Sequence, residues 1–399
     1  MTVYLSAKRI LLFVLCSEFT FALINIADIP WSLYLLNLSF SALLLTAYML
    51  WNLDIILQKK YLLVNVLSLV YASSTLVSPI LGGDLSPHLL SSYFLHISLL
   101  PFVEIQREKG HVRFLYKVLA FWLPLFLIAN DILMVIMPGR FYGDGISKTF
   151  LLGGKFSTSY NHMVFLLIVC LLYGERLFVR RVIPLLFAVV CLLCRYMDCN
   201  TAALGTIVFF AIAYSPKGIQ SVLSRRAIVL VALILCALFV YLENVFMLPP
   251  VKYFITEVLG RDVTLTGRSQ IYQVLGKVIR AHPWIGYGSS AEIMFRYTGA
   301  FNAQNGFFDL VVQNGFPSAL LYELLVLTLV REGSTTGSKF LLGIMYGYFF
   351  MSTVEITFDI TLLMFGILLF TESEDYTEKP IRIFEWGCAT VDSCTSMRQ

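Results

Sequence analysis

Six basic and three acidic residues fall within the 59 residues from Leu248 to Gly306. That is an excess of cation in a stretch too long for a simple connection and of a size usual for a functional insertion. Inside it, Thr266-Gly267-Arg268-Ser269-Gln270 opens a segment in which Ile271, Leu275, Val278 and Ile279 recur at helical spacing. The pattern predicts an amphipathic helix lying at a membrane surface. It should stop at His282-Pro283, because proline disfavours helix in the residue before it. Arg268 would then occupy the first turn, beside unpaired N–H groups and the positive end of the helix dipole. A guanidinium there can grip two phosphate oxygens at once, so the chemistry suggested is the holding of an anionic, phosphorylated ligand, with Arg280 as a further cation. A solvated loop arginine is the plain alternative.

Residues suited to sugars follow. Tyr287 lies in the turn-rich segment His282-Pro283-Trp284-Ile285-Gly286-Tyr287-Gly288, and Phe301-Asn302-Ala303-Gln304-Asn305-Gly306 leads into an apolar run from Phe307. Amides both donate and accept hydrogen bonds, while ring faces pack on C–H surfaces, a combination that holds sugar hydroxyls. An interfacial aromatic belt explains most of the rings equally well. Arg195 stands in a short turn, Arg195-Tyr196-Met197-Asp198-Cys199-Asn200, between two short apolar runs. A charge so close to hydrocarbon is costly unless it is paired, with Asp198 for example, or functional. His162 sits at the outer end of another run, where a satisfied helix-end residue is the simpler reading. Glu18, Asp131, Glu243, Glu323 and Glu355 also lie in or near apolar runs, but without the helical spacing of a proton path.

The elements that must position these groups are membrane helices. Of 399 residues, 58% are hydrophobic and 14% charged, which excludes a disordered chain, a disulfide-stapled domain and an ordinary soluble enzyme. A net charge of +4 is too small to argue for nucleic acid. Charged and Pro/Gly-rich breaks leave apolar stretches at Ile10–Ala27, Trp31–Leu50, Tyr61–Ile80, His88–Ile105, Val118–Met137, Tyr160–Gly174, Val182–Cys194, Thr201–Tyr214, Ala227–Met247, Phe307–Val330, Phe340–Val354 and Ile356–Phe370. The fold expected is therefore an all-α polytopic membrane protein of about 12 transmembrane helices with a large periplasmic loop containing short helices. Nine spans occupy residues 1–247, the loop 248–306, three spans 307–370 and a polar cytoplasmic tail 371–399. Only Glu355 divides the last two stretches, so one long or re-entrant helix is an open alternative there. The first stretch follows Lys8 and Arg9 like a signal sequence, but Glu18 and the lack of a small-x-small cleavage site make it a retained span.

Basic residues keep short loops in the cytoplasm. With the N-terminus inside, nineteen of the 29 Lys and Arg fall on the inner side, and the other ten concentrate in three outer segments. Cys191 and Cys194 have C-x-x-C spacing but lie in an apolar run with no second pair, so they are expected to be small buried helix residues. No cluster with metal-ligand spacing is evident.

Taken together, Thr266-Gly267-Arg268, Pro283-x-x-Gly286-x-Gly288, Ala303-Gln304-Asn305-Gly306-Phe307-Phe308-Asp309 and Gln313-Asn314-Gly315 resemble the O-antigen polymerase and ligase superfamily, over roughly Gly154 to Phe370. The resemblance implies a glycosyltransferase C-type architecture in the bacterial inner (plasma) membrane, with the active site facing the periplasm. It implies an undecaprenyl-diphosphate-linked oligosaccharide as donor, no metal and no cofactor, inversion at the transferred sugar, membrane lipid as surroundings, and room for a chain-length regulator as partner. Arg268 would bind the donor diphosphate. Members commonly have His where this chain has Gln304, and their second arginine would align near Asn200, five residues after Arg195. Gln304 can orient an acceptor hydroxyl but cannot titrate. His282 and Asp309 are the candidate bases, Arg268, Arg195 and Arg280 the diphosphate ligands, and Asn305, Asn200, Tyr287 and His162 the glycan contacts. The function expected is polymerisation of lipid-linked repeat units. The alternatives are an O-antigen ligase acting on lipid A-core and, outside enzymes, a flippase or transporter.

Overall fold

The computed structural model describes residues 7–24, 30–83, 85–137, 149–174, 176–241, 248–253, 256–257, 268–288, 291–330 and 338–372. Helices α1 (Ala7–Leu23), α2 (Trp31–Trp51), α3 (Leu53–Ile56), α4 (Lys59–Gly82), α5 (Pro87–Glu108) and α6 (Val112–Ile136) form the first half. A two-stranded antiparallel hairpin, β1 (Thr149–Phe150) with β2 (Gly153–Gly154), then leads into α7 (Lys155–Tyr173). Next come α8 (Leu177–Tyr196), α9 (Asn200–Ala213), α10 (Lys217–Leu223), α11 (Arg226–Leu238), α12 (Pro249–Tyr253), α13 (Arg268–Ala281) and α14 (Ala291–Thr298). The chain closes with α15 (Gly306–Leu329), α16 (Ser338–Ser352) and α17 (Ile360–Glu372).

Each apolar stretch of the sequence falls on a helix, with residues 25–27 of the first and 242–247 of another outside the described residues. Six described helices are long and apolar enough to cross a membrane, α2, α4, α5, α6, α7 and α15, and a seventh span results if α9 and α10, bent by 117°, count as one. The possibility of one continuous helix at the end of the chain is removed, because α16 and α17 are separate and the turn between them carries Glu355. The tail from residue 373 on, Glu243, and the Thr266-Gly267 pair ahead of Arg268 lie outside the described residues.

Two packing devices position the site. Across α9 and α16 the helices approach to backbone distance: a Cβ at Gly343 would meet Phe209 O at 2.7 Å, and one at Gly347 would meet Gly205 O at 2.8 Å. Small residues four apart on one face, with a third on the partner helix, permit the close crossing typical of membrane helix pairs. The second device is a break in α15 at Gly315, whose φ of 81° is left-handed, two residues before Pro317. Such a break frees carbonyls. Those of Val312 and Gln313 accept the N–H groups of Tyr287 and Gly288 at 2.9 Å each, and Phe316 N–H returns to Pro283 O at 2.9 Å. A Cβ at Gly286 would lie 2.4 Å from Gln313 O, and one at Gly315 would lie 2.3 Å from Trp284 O. The Pro-x-x-Gly-x-Gly and Gln-Asn-Gly motifs are thus two halves of one interlock.

Helix α13 has the expected boundaries at its described end, stopping before His282-Pro283. Its apolar face is covered differently from expectation. Ile271, Leu275, Val278 and Ile279 are buried in the main core together with Phe307 and Val311 of α15, so protein rather than lipid covers that face.

Candidate functional site

Arg268 is the first described residue of α13, and the positive end of a helix dipole favours an anion there. Its Nη2 forms an ion pair with Glu355 Oε1, and the two side chains retain 14% and 5% of their exposure. Its Nε donates to Gln304 Oε1 at 3.3 Å. Gln304 is itself held in the left-handed region, φ 51°. Asn302 Oδ1 accepts from Gln304 N at 3.0 Å and from Gln304 Nε2 at 2.6 Å, and Tyr272 OH donates to Gln304 O at 2.9 Å. The Gln304 amide therefore helps to fix the direction of the guanidinium. Thr201, in the first turn of α9, lies against the same Glu355 carboxylate, and Lys155, at the start of α7, is within electrostatic reach of it. Four elements, α7, α9, α13 and the turn after α16, converge there.

Arg195 lies in the last turn of α8, is exposed, and its Nη1 donates to Asn200 Oδ1 at the start of α9. The connecting turn uses a left-handed Asp198, φ 60°. The guanidinium thus reaches the side chain of position 200, where the resemblance places a second arginine. This turn also carries Cys199 and Thr201, which adjoin the Glu355 carboxylate.

Other expected site residues are placed elsewhere or serve the fold. His282 and Arg280 are exposed at the far end of α13, about 20 Å along the axis from Arg268 at 1.5 Å per residue. His282 packs edge-on against Tyr287, with ring centroids 4.5 Å apart. Tyr287 OH donates to Val278 O at 3.0 Å. Asp309 is 1% exposed and both its oxygens are engaged, by Ala303 N–H at 3.0 Å and Gln313 Nε2 at 2.6 Å. Such a carboxylate braces the 302–304 loop rather than facing a substrate. Asn305 is fully buried; its Oδ1 caps α15 by accepting from Phe308 N at 3.1 Å, while Nδ2 donates to Cys236 O at 2.8 Å and Thr353 O at 3.0 Å. His162 is buried on α7 between Thr158 O at 2.9 Å and Asp131 Oδ2 at 3.1 Å. Cys194 is buried and Cys191 half-buried, and both are free thiols. The acidic residues are dispersed: Glu18 accepts from Ser41 at 2.7 Å, and Asp131 pairs with His162.

Sequence reasoning missed Glu355 and Lys155 as members of the site. Glu355 had one available signal, a lone carboxylate between two apolar stretches, but nothing local tied it to an arginine 87 residues away. Lys155 is one of the ten outer-side cations and belongs to none of the motifs.

Fold and composition define the class, a multi-pass all-α membrane protein. Residues 200–322 match the family model described as O-Antigen ligase. The resemblance to the O-antigen polymerase and ligase superfamily thus holds over the segment from Asn200 through Arg268 and Gln304 to Tyr322, and supports an activity of that general kind. No curated protein and no solved structure matches the chain.

Proposed function

We propose that the protein polymerises lipid-diphosphate-linked oligosaccharide repeat units at the outer face of a bacterial inner membrane. The observation that carries this reading is the partly buried Arg268 at the start of α13, held by Gln304 and Glu355, with Lys155 within electrostatic reach of the same carboxylate. Two cations against one carboxylate leave net positive charge where a diphosphate is to be held. The architecture proposed with it is twelve spans, the N-terminus inside and the 248–306 loop over the outer surface, so that α13 caps the site.

In the reaction, the acceptor hydroxyl attacks the anomeric carbon of the donor's first sugar from the face opposite the diphosphate. The new C–O bond forms as the anomeric carbon–oxygen bond breaks. The electron pair goes to the leaving diphosphate oxygen, and the acceptor proton passes to that diphosphate or to water. Arg268 stabilises the charge developing on the leaving group, with Arg195 supplying the second guanidinium beside Asn200. A diphosphate is already a good leaving group, so a non-titrating Gln304 suffices to orient the acceptor.

Arg268→Ala should abolish long-chain polysaccharide while the protein remains in the membrane at wild-type level. Wild-type chain lengths in that variant would overturn the assignment. One observation favours a second reading: the matching family model is described as O-Antigen ligase. Deletion separates the two, because single repeats on the lipid core mean a lost polymerase and no attached repeats mean a lost ligase.

A further inference from the structure

A cavity of about 180 Å³ lies between α1, α6, α7, α16 and the start of α17. Its lining is half polar in character. Tyr160, Tyr348 and Asp359 meet Ser157, Asn161 and Thr361 across it, with aliphatic side chains of α1 and α6 closing the other side. No Lys or Arg is among the described residues that line it. Tyr348 is fully buried, and neither its hydroxyl nor the buried hydroxyl of Tyr160 has a hydrogen-bond partner among the described residues. Buried polar groups are seldom left so, and two in one cavity point to a guest that supplies the missing donors and acceptors. The two rings stand 5.5 Å apart at 48°.

Position adds to this. The turn between α16 and α17 carries Glu355, the partner of Arg268, and four residues later Asp359, at the cavity. Tyr160 lies within electrostatic reach of both carboxylates. The cavity therefore adjoins the anion site across one turn of chain.

We propose that this cavity is a subsite for a single uncharged sugar ring, held by the hydroxyls of Tyr160 and Tyr348 next to the diphosphate site. Its volume suits one ring, since pockets for larger guests start at roughly 300 Å³. The assignment rests on the glycosyl-transfer reading above, and the ring comes from either the donor or the acceptor.

The test uses the Tyr160→Phe/Tyr348→Phe double variant of the full chain in nanodiscs, which removes two hydroxyls and keeps both rings. Lipid-linked repeat units extracted from the host membrane serve as donor, and repeat units released from their lipid by mild acid serve as an acceptor that cannot donate. The expected result is a rise of about tenfold or more in KM, with a melting temperature at or above wild type because no internal hydrogen bond is lost. A rise for the released units assigns the acceptor ring, and a rise for the lipid-linked units the donor ring. Unchanged KM for both, alongside an inactive Arg268→Ala, overturns the subsite while leaving the glycosyl-transfer reading intact. An active Arg268→Ala overturns that reading itself. A melting temperature several degrees below wild type in the double variant also overturns the subsite, by showing that the hydroxyls hold the fold.

Discussion

At the scale of residues, the account turns on a buried ion pair whose purpose is placement. Arg268 and Glu355 are largely withdrawn from water, and taking away one partner of such a pair costs on the order of 3–5 kcal/mol because the other charge is left uncompensated. Glu355→Gln should therefore lower the melting temperature, and so should Arg268→Ala. The double variant Arg268→Ala/Glu355→Gln should recover much of that stability yet stay inactive, since the guanidinium acts on the ligand and the carboxylate on the guanidinium. Thermal melts of the three variants, with transfer assays on each, check this; simple additivity of the two losses would argue against the coupling. Arg268→Lys keeps the charge but loses the planar fork, so it should fold normally and transfer at a rate reduced tenfold or more. Equal rates would show that a point charge is enough.

Among the elements, the interlock between the 283–288 segment and the break in α15 determines where α13 stands. Gly286→Ala and Gly315→Ala each place a Cβ against backbone in a left-handed residue, so each should destabilise by at least the ~1–3 kcal/mol of backbone strain alone. Gly276 provides the contrast: it lies inside α13 with open space around a would-be Cβ, and Gly276→Ala should stabilise by about 0.5–1 kcal/mol. Melting curves decide, and a tolerated Gly315→Ala would contradict the interlock. These elements also show what could be read in advance. The 3.6-residue recurrence of Ile271, Leu275, Val278 and Ile279, closed by Pro283, defined α13 from local chemistry alone. The covering of its apolar face by α15 was not legible, because amphipathicity reports that a face is buried and not what buries it. The pairing of Arg268 with Glu355 was hidden for a related reason, since a long-range contact leaves no periodic trace in a chain with no repeat. Gln304, which read as a departure, acquires its role from a backbone conformation that sequence does not display.

For the whole molecule, the prediction concerns sidedness. The proposed topology, from the charge distribution along the chain, has the 248–306 loop outside and the α9–α10 connection inside. The described cysteines are buried except for the half-buried Cys191, so once Cys388 and Cys394 of the tail are replaced by serine, introduced thiols can be read against a low background. Glu292→Cys, at an exposed position of α14, should react with a membrane-impermeant maleimide on intact spheroplasts. Lys217→Cys, exposed at the start of α10, should react only after lysis. Reversed labelling would place Arg268 on the cytoplasmic side and remove it from a periplasmic reaction.

The central claim is that the site around Arg268, Lys155 and Glu355 holds a lipid diphosphate. It is tested most directly by titrating undecaprenyl diphosphate, the lipid part of the proposed donor without its glycan, onto the full chain in nanodiscs. Wild type should bind it saturably, and Arg268→Ala should bind at least tenfold more weakly, the loss of one charge-assisted contact being worth roughly 1.5–3 kcal/mol. Equal affinity in the two proteins would contradict the account.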